Sequence, residues 1–347
     1  MYKLNSISEN NLIENITKNY KRSPVQINKL QESDSEILNI NLLDNDQLAV
    51  TTDSIVEEIE EGIYKDPYLI GWMAVMVNLS DLAAVGATPV GVLISEIIPE
   101  HIDNKFRINL HKGINQACRK CGTYVIGGDT NTGNQLIISA TAIGLTKNNN
   151  YITRLGCKPG DILYTSGKLG RGNAYALAQL TEMEIQVKYK PVAKLKAGNS
   201  ISGIASCCID TSDGVIAALD QLMRLNDVGI KLDPDWTTKL DSRSKSILNE
   251  YKLPLWFLLA GHHGEFELIF SVPPVKESNL KMISNKNSIH FFRIGEIQSK
   301  KGFILNINNK QVKLPTEKIR NITSSKNFNL RSYLNSLLQI DNSLKKL

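Results

Sequence analysis

The chain has 347 residues, 42% of them hydrophobic, and a formal net charge of +5. That is enough apolar material for two packed domains. The modest basic excess, scattered through segments such as KNNN, NKNS and INNK, excludes a nucleic-acid arm. No run is apolar for the length of a membrane span, and the start, MYKLNSISENNLIENITKNYKRS, lacks the apolar core of a signal peptide, so a soluble, cytoplasmic protein is expected.

In chain order, residues 1–29 read as a polar leader with a short helix. LAVTTDSIV (48–56) reads as a strand running into an acidic segment. Residues 67–86 read as a helix, with Pro67 near its start and Gly86 at its end. PVGVLISEII (89–98) is a β-branched strand. An amphipathic helix follows over 101–121, stopped by Gly122, its stripe running Phe106, Ile108, Leu110, Ile114 and on to Cys118. Cys118 and Cys121 have CxxC spacing, but no second ligand pair stands at zinc spacing, so they read as core cysteines. With five cysteines in all, a disulfide framework is not expected.

TYVIGGDT (123–130) and QLIISATAIGLT (135–146) read as consecutive strands around an Asn131–Asn134 turn. The polar, Pro/Gly-bearing stretch 147–161 reads as a domain boundary. Beyond it come a strand (161–167), helices near 172–182 and 214–226, strands at 266–273, 290–297 and 303–308, and an amphipathic helix in the tail, 329–347. Mixed strands and helices in both halves give an α/β and α+β two-domain class. The domains read as 30–148 and 149–314, followed by a 315–347 tail.

Carboxylates recur at the ends of apolar elements: Asp53 in VTTDS, Asp81 in NLSDL, Asp129 in VIGGDT, Asp210 and Asp213 in CIDTSDG. Any one of them alone is most simply a turn or helix cap. Asp81 is harder to dismiss, because it interrupts the apolar run VNLSDLAAVGATP, and a buried carboxylate is costly unless paired or bound to a cation. Carboxylates converging on one place select a hard cation, Mg²⁺ above all, which in turn carries phosphates. Gly128 and the Ser212–Gly214 turn offer backbone N–H groups to such an anion.

The ordered set VTTDSIVE, GWMAVMVNLSDLAAVGATPVGVL, VIGGDT, LIISATAIG, ITRLGCKPGDILYTSGKLG, CIDTSDGV and GEFELIFSVP resembles thiamine-monophosphate kinase. More widely it resembles the aminoimidazole-ribonucleotide-synthetase superfamily, which includes selenophosphate synthetase and the hydrogenase-maturation dehydratase. The resemblance implies an N-terminal domain that forms a dimeric β-barrel with flanking helices, and a C-terminal α+β, sandwich-like domain. It implies ATP and Mg²⁺ as cofactors, a homodimer, and a small phosphoryl acceptor, with neither nucleic acid nor membrane as partner. Carried over by position, Asp53, Asp81, Asp210 and Asp213 are the Mg²⁺ ligands, with Asp34 the acid left at the first metal station and Asp210 and Asp213 the catalytic pair. Thr52, Gly128, Asp129, Arg154 and Ser212 are the nucleotide contacts.

Three departures fall at the first metal station and on the acceptor side. Ser33-Asp34 stands where the family has Asp-Asp. Glu60 occupies the position of a His that contacts the acceptor phosphate. His262-His263-Gly264-Glu265 replaces Gly-Gly-Glu-Asp, which makes Glu60, His262, His263 and Glu265 the acceptor-side candidates. The function implied is direct transfer of the ATP γ-phosphate to a small metabolite that need not be thiamine phosphate. The alternatives are an ATP-dependent ligase or dehydratase of the same superfamily and a non-catalytic nucleotide-binding dimer.

Overall fold

The computed structural model describes residues 4–17, 23–39, 46–147, 150–181, 187–261, 263–322 and 330–345. Among these, the first part of the chain runs α1 (Ser8–Thr17), β1 (Glu36–Leu38), β2 (Gln47–Ser54), α2 (Val56–Glu60), α3 (Pro67–Ala84), β3 (Thr88–Ile97), α4 (Asn104–Lys120), β4 (Val125–Asn131) and β5 (Ile137–Thr146). Its strands form an open sheet in the order β1-β2-β5-β3-β4.

The expected turn at 131–134 therefore joins strands that are not neighbours. β3 lies between them, pairing parallel with β4 and antiparallel with β5. Along β5 burial alternates, with Ile138, Ala140 and Ala142 turned inward, as a sheet with one covered face requires.

The covering element is α3. Asp66 caps it, accepting from Tyr68 N and Leu69 N, and Pro67 occupies its first turn. It is apolar on most faces and, from Leu69 on, buried everywhere but at Asp81. α4 packs on its outer side, and glycine permits this: a Cβ on Gly71 would sit 2.0 Å from Leu110 O, and one on Gly113 2.1 Å from Tyr68 O. The stripe on α4 holds at Leu110, Ile114 and the buried Cys118, whereas Ile108 is 54% exposed. Position 108 is two residues, or about 200°, away from the buried face.

The second part contributes β6 (Ile162–Thr165), α5 (Arg171–Leu180), α6 (Leu195–Ile201), β7 (Cys207–Asp210), α7 (Val215–Asn226), β8 (Gly229–Leu232), α8 (Ser242–Glu250), α9 (Phe257–Ala260), β9 (Leu268–Val272), α10 (Glu277–Asn287), β10 (Phe292–Gln298), β11 (Phe303–Ile307), β12 (Lys310–Leu314), α11 (Thr316–Ile322) and α12 (Leu330–Lys345). Its single seven-stranded sheet has the order β12-β11-β8-β10-β6-β9-β7. Side chains alternate across it. Leu163 and Ile269 meet α7, α8, α9 and α12 in one core, while Tyr164, Leu268 and Phe270 meet α6 and α10 in another. The result is three layers, helix on sheet on helix. The last turn of α3 joins this second core through Ala83 and Ala84, which brings the end of α3 against the end of β7.

Candidate active site

Three segments far apart in sequence meet where α3 abuts β7. Asp34, Asp81 and Asp210 each present a carboxylate oxygen within 4.8 Å of the other two. Each is held from behind. Thr51 Oγ1, on β2, donates to Asp81 Oδ2 at 2.6 Å. Ser80 Oγ, on α3, donates to Asp210 Oδ2 at 2.5 Å. Ser212 Oγ donates to Asp210 Oδ1 at 2.8 Å. Asp34, whose side chain is 1% exposed, accepts from Arg154 through both oxygens.

Three carboxylates against one guanidinium leave an excess of two negative charges. Burial, then Asp210 and Asp34, raise the pKa of Asp81 well above its ordinary value. Burial and Asp34 push Asp210 up to about 6. Such a cluster holds protons or a cation. Arg154 answers to the same field: burial works against its charge, but Asp34, Asp81 and Asp210 more than restore it.

Asp53 and Asp213 flank the triad without joining it. Asp53 lies on β2 two residues beyond Thr51 and so on the same face; its Oδ1 accepts from Ser54 N at 2.7 Å. Asp213 keeps solvent contact at the mouth of the site. The surrounding walls still raise its pKa to about 7, by desolvation first and then through Glu9, Asp210 and Asp53. With Asp210 and Ser212 it lines a cavity of about 170 Å³ that also contains Arg154. A larger adjoining cavity, about 540 Å³, is walled by Asp213, Glu57, Glu58, Glu61, His263 and Tyr333, among others.

The remaining sequence candidates divide. Thr52 points away from the triad, since strand residues alternate; its Oγ1 donates to Ala140 O at 3.0 Å, and it is Thr51 that reaches the triad, through Asp81. Gly128 and Asp129 lie on the edge strand β4. The register Asp53–Ala140–Ile94–Gly128 puts three strand spacings, about 14 Å, between Gly128 and Asp53. Glu60 turns out of the larger cavity to accept from Gln135 at 3.0 Å. Glu57, Glu58 and Glu61 line the cavity instead. Among them Glu58 is raised to about 7, by burial and then by its acidic neighbours.

His262 lies outside the described residues. His263 is buried at the edge of the larger cavity, its Nε2 3.2 Å from Tyr64 Oη. Glu265 points elsewhere, accepting from Gly170 N at the start of α5; its second oxygen has no hydrogen-bond partner, and burial raises it to about 8.

Between these two residues Gly264 lies against the loop that follows β7. Its N–H donates to Ser212 O at 2.8 Å, and a Cβ there would fall 1.4 Å from Thr211 O. A side chain at this position would therefore need one of the two loops to move. Ser80 and Thr51 were missed in the sequence although each adjoins a flagged motif. Tyr333 was missed because it reaches the cavity from α12, far along the chain, where its hydroxyl donates to Ala260 O.

Residues 33–146 match the family of AIR synthase related proteins, N-terminal domain. The thiamine-monophosphate kinase of Pyrococcus horikoshii is 30% identical over 273 residues, covering 77% of this chain and 84% of the relative. The enzyme of the same name from Buchnera aphidicola of Acyrthosiphon pisum is 30% identical over 317 residues, covering 86% of this chain and 94% of the relative. The solved structure of AaThiL complexed with AMPPCP and TMP superposes with a TM-score of 0.73 at 24% identity, over 90% of this chain and 97% of that one, and so shares the fold. A shared fold, a carboxylate cluster at the junction of α3 and β7, and relatives matched along most of their length make this chain a member of the thiamine-monophosphate kinase family.

Proposed function

We propose that the chain is an ATP-dependent phosphotransferase that passes the γ-phosphoryl group directly to a small phosphorylated metabolite, thiamine monophosphate being the first acceptor to test. The observation that carries this reading is the meeting of Asp34, Asp81 and Asp210 within 4.8 Å, each backed by a hydroxyl or guanidinium. The donor set is all oxygen and rich in charge, which fits Mg²⁺. A further sign of fit lies one helical turn before Asp81, where the buried Oδ1 of Asn78 has no donor, an arrangement that costs free energy unless water or an ion meets it. Asp34, Asp81 and Asp210 would hold the metal, with Asp53 and Asp213 extending the set along the cleft. When bound, Mg²⁺ supplies neutralisation of phosphate charge.

The chain's own groups do the positioning. Thr51, Ser80 and Ser212 fix the carboxylate oxygens. Arg154, paired with Asp34, keeps one positive charge in the cluster. No covalent nucleophile is required, because an oxygen of the acceptor attacks the γ-phosphorus as the bond to the β–γ bridging oxygen breaks. We assign the acceptor to the larger cavity, between Glu58, His263 and Tyr333.

The protein as proposed has units at 30–148 and 149–314, a leader at 1–29 and a tail at 315–347, and two copies pair through the first sheet to close a shared barrel. Tyr124, Val125 and Ile126 at β4 are 73%, 47% and 52% exposed, and Val90 and Leu93 of β3 are exposed beside them. An unpaired edge strand carrying such a patch favours a partner. Pairing would also give Gly128 and Asp129, which are remote from the triad of their own chain, a nucleotide to contact.

The test is ADP release from ATP and Mg²⁺ across a panel of phosphorylated metabolites. Turnover stimulated by thiamine monophosphate or another phosphorylated acceptor supports the reading. Nucleotide binding with no acceptor-stimulated turnover would replace it with that of a nucleotide-binding dimer.

A further inference from the structure

The cleft is bridged by its own N-terminal segment. Glu9 of α1 lines both the 540 Å³ and the 170 Å³ cavities, as do Asp213 and Arg320. The helix thus walls both cavities, with Asn10 and Ile13 beside Asp210 and Asp213 in the smaller one.

What holds it there is polar. Asn10 Nδ2 donates to Gln221 Oε1, Gln221 Nε2 to Gln31 Oε1, and Gln31 Nε2 back to Asn10 O, at 3.0, 3.0 and 3.3 Å. Ser6 accepts from Arg224 at 2.8 Å. Glu9 closes the set at the cleft, its Oε2 3.3 Å from a guanidinium nitrogen of Arg320.

The two partners of that last pair differ. Arg320 is 9% exposed and fixed, its other nitrogen donating to Asp220 and Gln221 at 3.1 Å each. Asp220 offsets only part of that charge, because it already accepts from Arg224 and from Thr316, both at 2.6 Å. Glu9 is 58% exposed. An ion pair with one partner so solvated is weak and exchanges readily. A phosphate oxygen carries more charge than a carboxylate and suits the guanidinium fork as well. Arg320 lines both cavities with Asp213 and acts on its charge, where the phosphotransfer reading puts the polyphosphate chain.

We infer that Glu9 is a stand-in anion: α1 is a latch held over the cleft by the Glu9–Arg320 pair, and an incoming polyphosphate displaces Glu9, releases α1 and takes Arg320 as its own positioning residue. This rests on the assignment of the Asp210–Asp213 cleft to phosphate, so the probe is chosen to be independent of turnover.

The experiment follows amide hydrogen exchange over residues 8–17 of the full chain, with and without Mg²⁺ and inorganic tripolyphosphate. The expected result is exchange at least tenfold faster when the probe is present. Glu9→Gln should exchange faster with no probe and bind the probe several-fold more tightly. Arg320→Gln should bind it about tenfold more weakly, and Arg320→Lys should recover much of the loss. Arg224 and Thr316 still satisfy Asp220 in both Arg320 variants, and a melting curve checks that they fold. Unchanged or slower exchange on adding the probe overturns the latch, as does weaker binding by Glu9→Gln or wild-type binding by Arg320→Gln. If these responses hold while no acceptor drives ATP turnover, the kinase reading fails and the latch stands. If turnover is present and exchange does not respond, the latch alone fails.

Discussion

The guanidinium of Arg154 donates to both carboxylate oxygens of Asp34, at 3.1 and 2.9 Å, inside a cluster that otherwise holds only acids. Arg154 is thus the resident counter-ion of the site. Replacing it with Gln leaves three converging carboxylates with no positive neighbour, and breaking a buried pair on one side costs about 3–5 kcal/mol. We expect Arg154→Gln to lose stability on that scale in EDTA and to regain a large part of it in Mg²⁺. Denaturant melts in the two buffers check this. A loss that is small, or that Mg²⁺ does not touch, would show that Arg154 is not neutralising the cluster.

Asp210→Asn has the opposite sign without metal. It removes one of the like charges that raise the others, while the Asn oxygen still accepts from Ser212 and its NH₂ can donate to the Ser80 hydroxyl oxygen. The variant is expected to melt at or above the wild-type temperature in EDTA and to show no upward shift on adding Mg²⁺. Differential scanning calorimetry reads both, and a metal-dependent shift equal to the wild type's would argue against Asp210 as a ligand.

Gly264→Ala addresses the backbone under the site. The new methyl would start 1.4 Å from Thr211 O, and that neighbour is main chain leading into Ser212 and Asp213. One of the two loops must move. We expect a loss of more than about 3 kcal/mol together with weakened nucleotide binding. A near-neutral melt would mean that the two loops are not in register as described.

Much of this was legible in the sequence, and the reason is local. A cap at Asp66, Pro67 and an apolar run fix α3 whatever surrounds it, and the β-branched run 89–98 reads directly as β3. Asp81 was legible as a site residue because a carboxylate in that run needed an explanation. What was not legible depends on which strand lies next to which. Gly128 looks like a neighbour of Asp53 when motifs are read in order, and only the β2-β5-β3-β4 pairing separates them. Glu60 stands at the motif position, but a long-range partner, Gln135, takes its carboxylate, while Glu57, Glu58 and Glu61 line the cavity. The Glu9–Arg320 pair joins residues 311 apart, and no spacing rule reaches that far.

Glu265 gives a pH prediction. Its carboxyl, buried with one oxygen unpartnered, sits at about 8 against an ordinary 4.5. A carboxyl raised by folding binds its proton more tightly in the native state. Stability is therefore fully present below about pH 4.5 and is lost as pH rises through 8. Glu265→Gln keeps an acceptor for Gly170 N and cannot ionise. It should melt several degrees above wild type at pH 8.5 and close to it at pH 5. A constant difference across that range would mean that Glu265 does not titrate there.

The proposed function depends on Asp34, Asp81 and Asp210 gathering to hold a metal–polyphosphate. Calorimetric titration of wild type and Asp210→Asn with a non-hydrolysable ATP analogue in Mg²⁺ tests it most directly. Wild type is expected to bind saturably and the variant at least about 100-fold more weakly, the value of removing one charge-bearing ligand worth roughly 3 kcal/mol, with the fold intact by its melting curve. Binding by Asp210→Asn within a factor of two of wild type would contradict it.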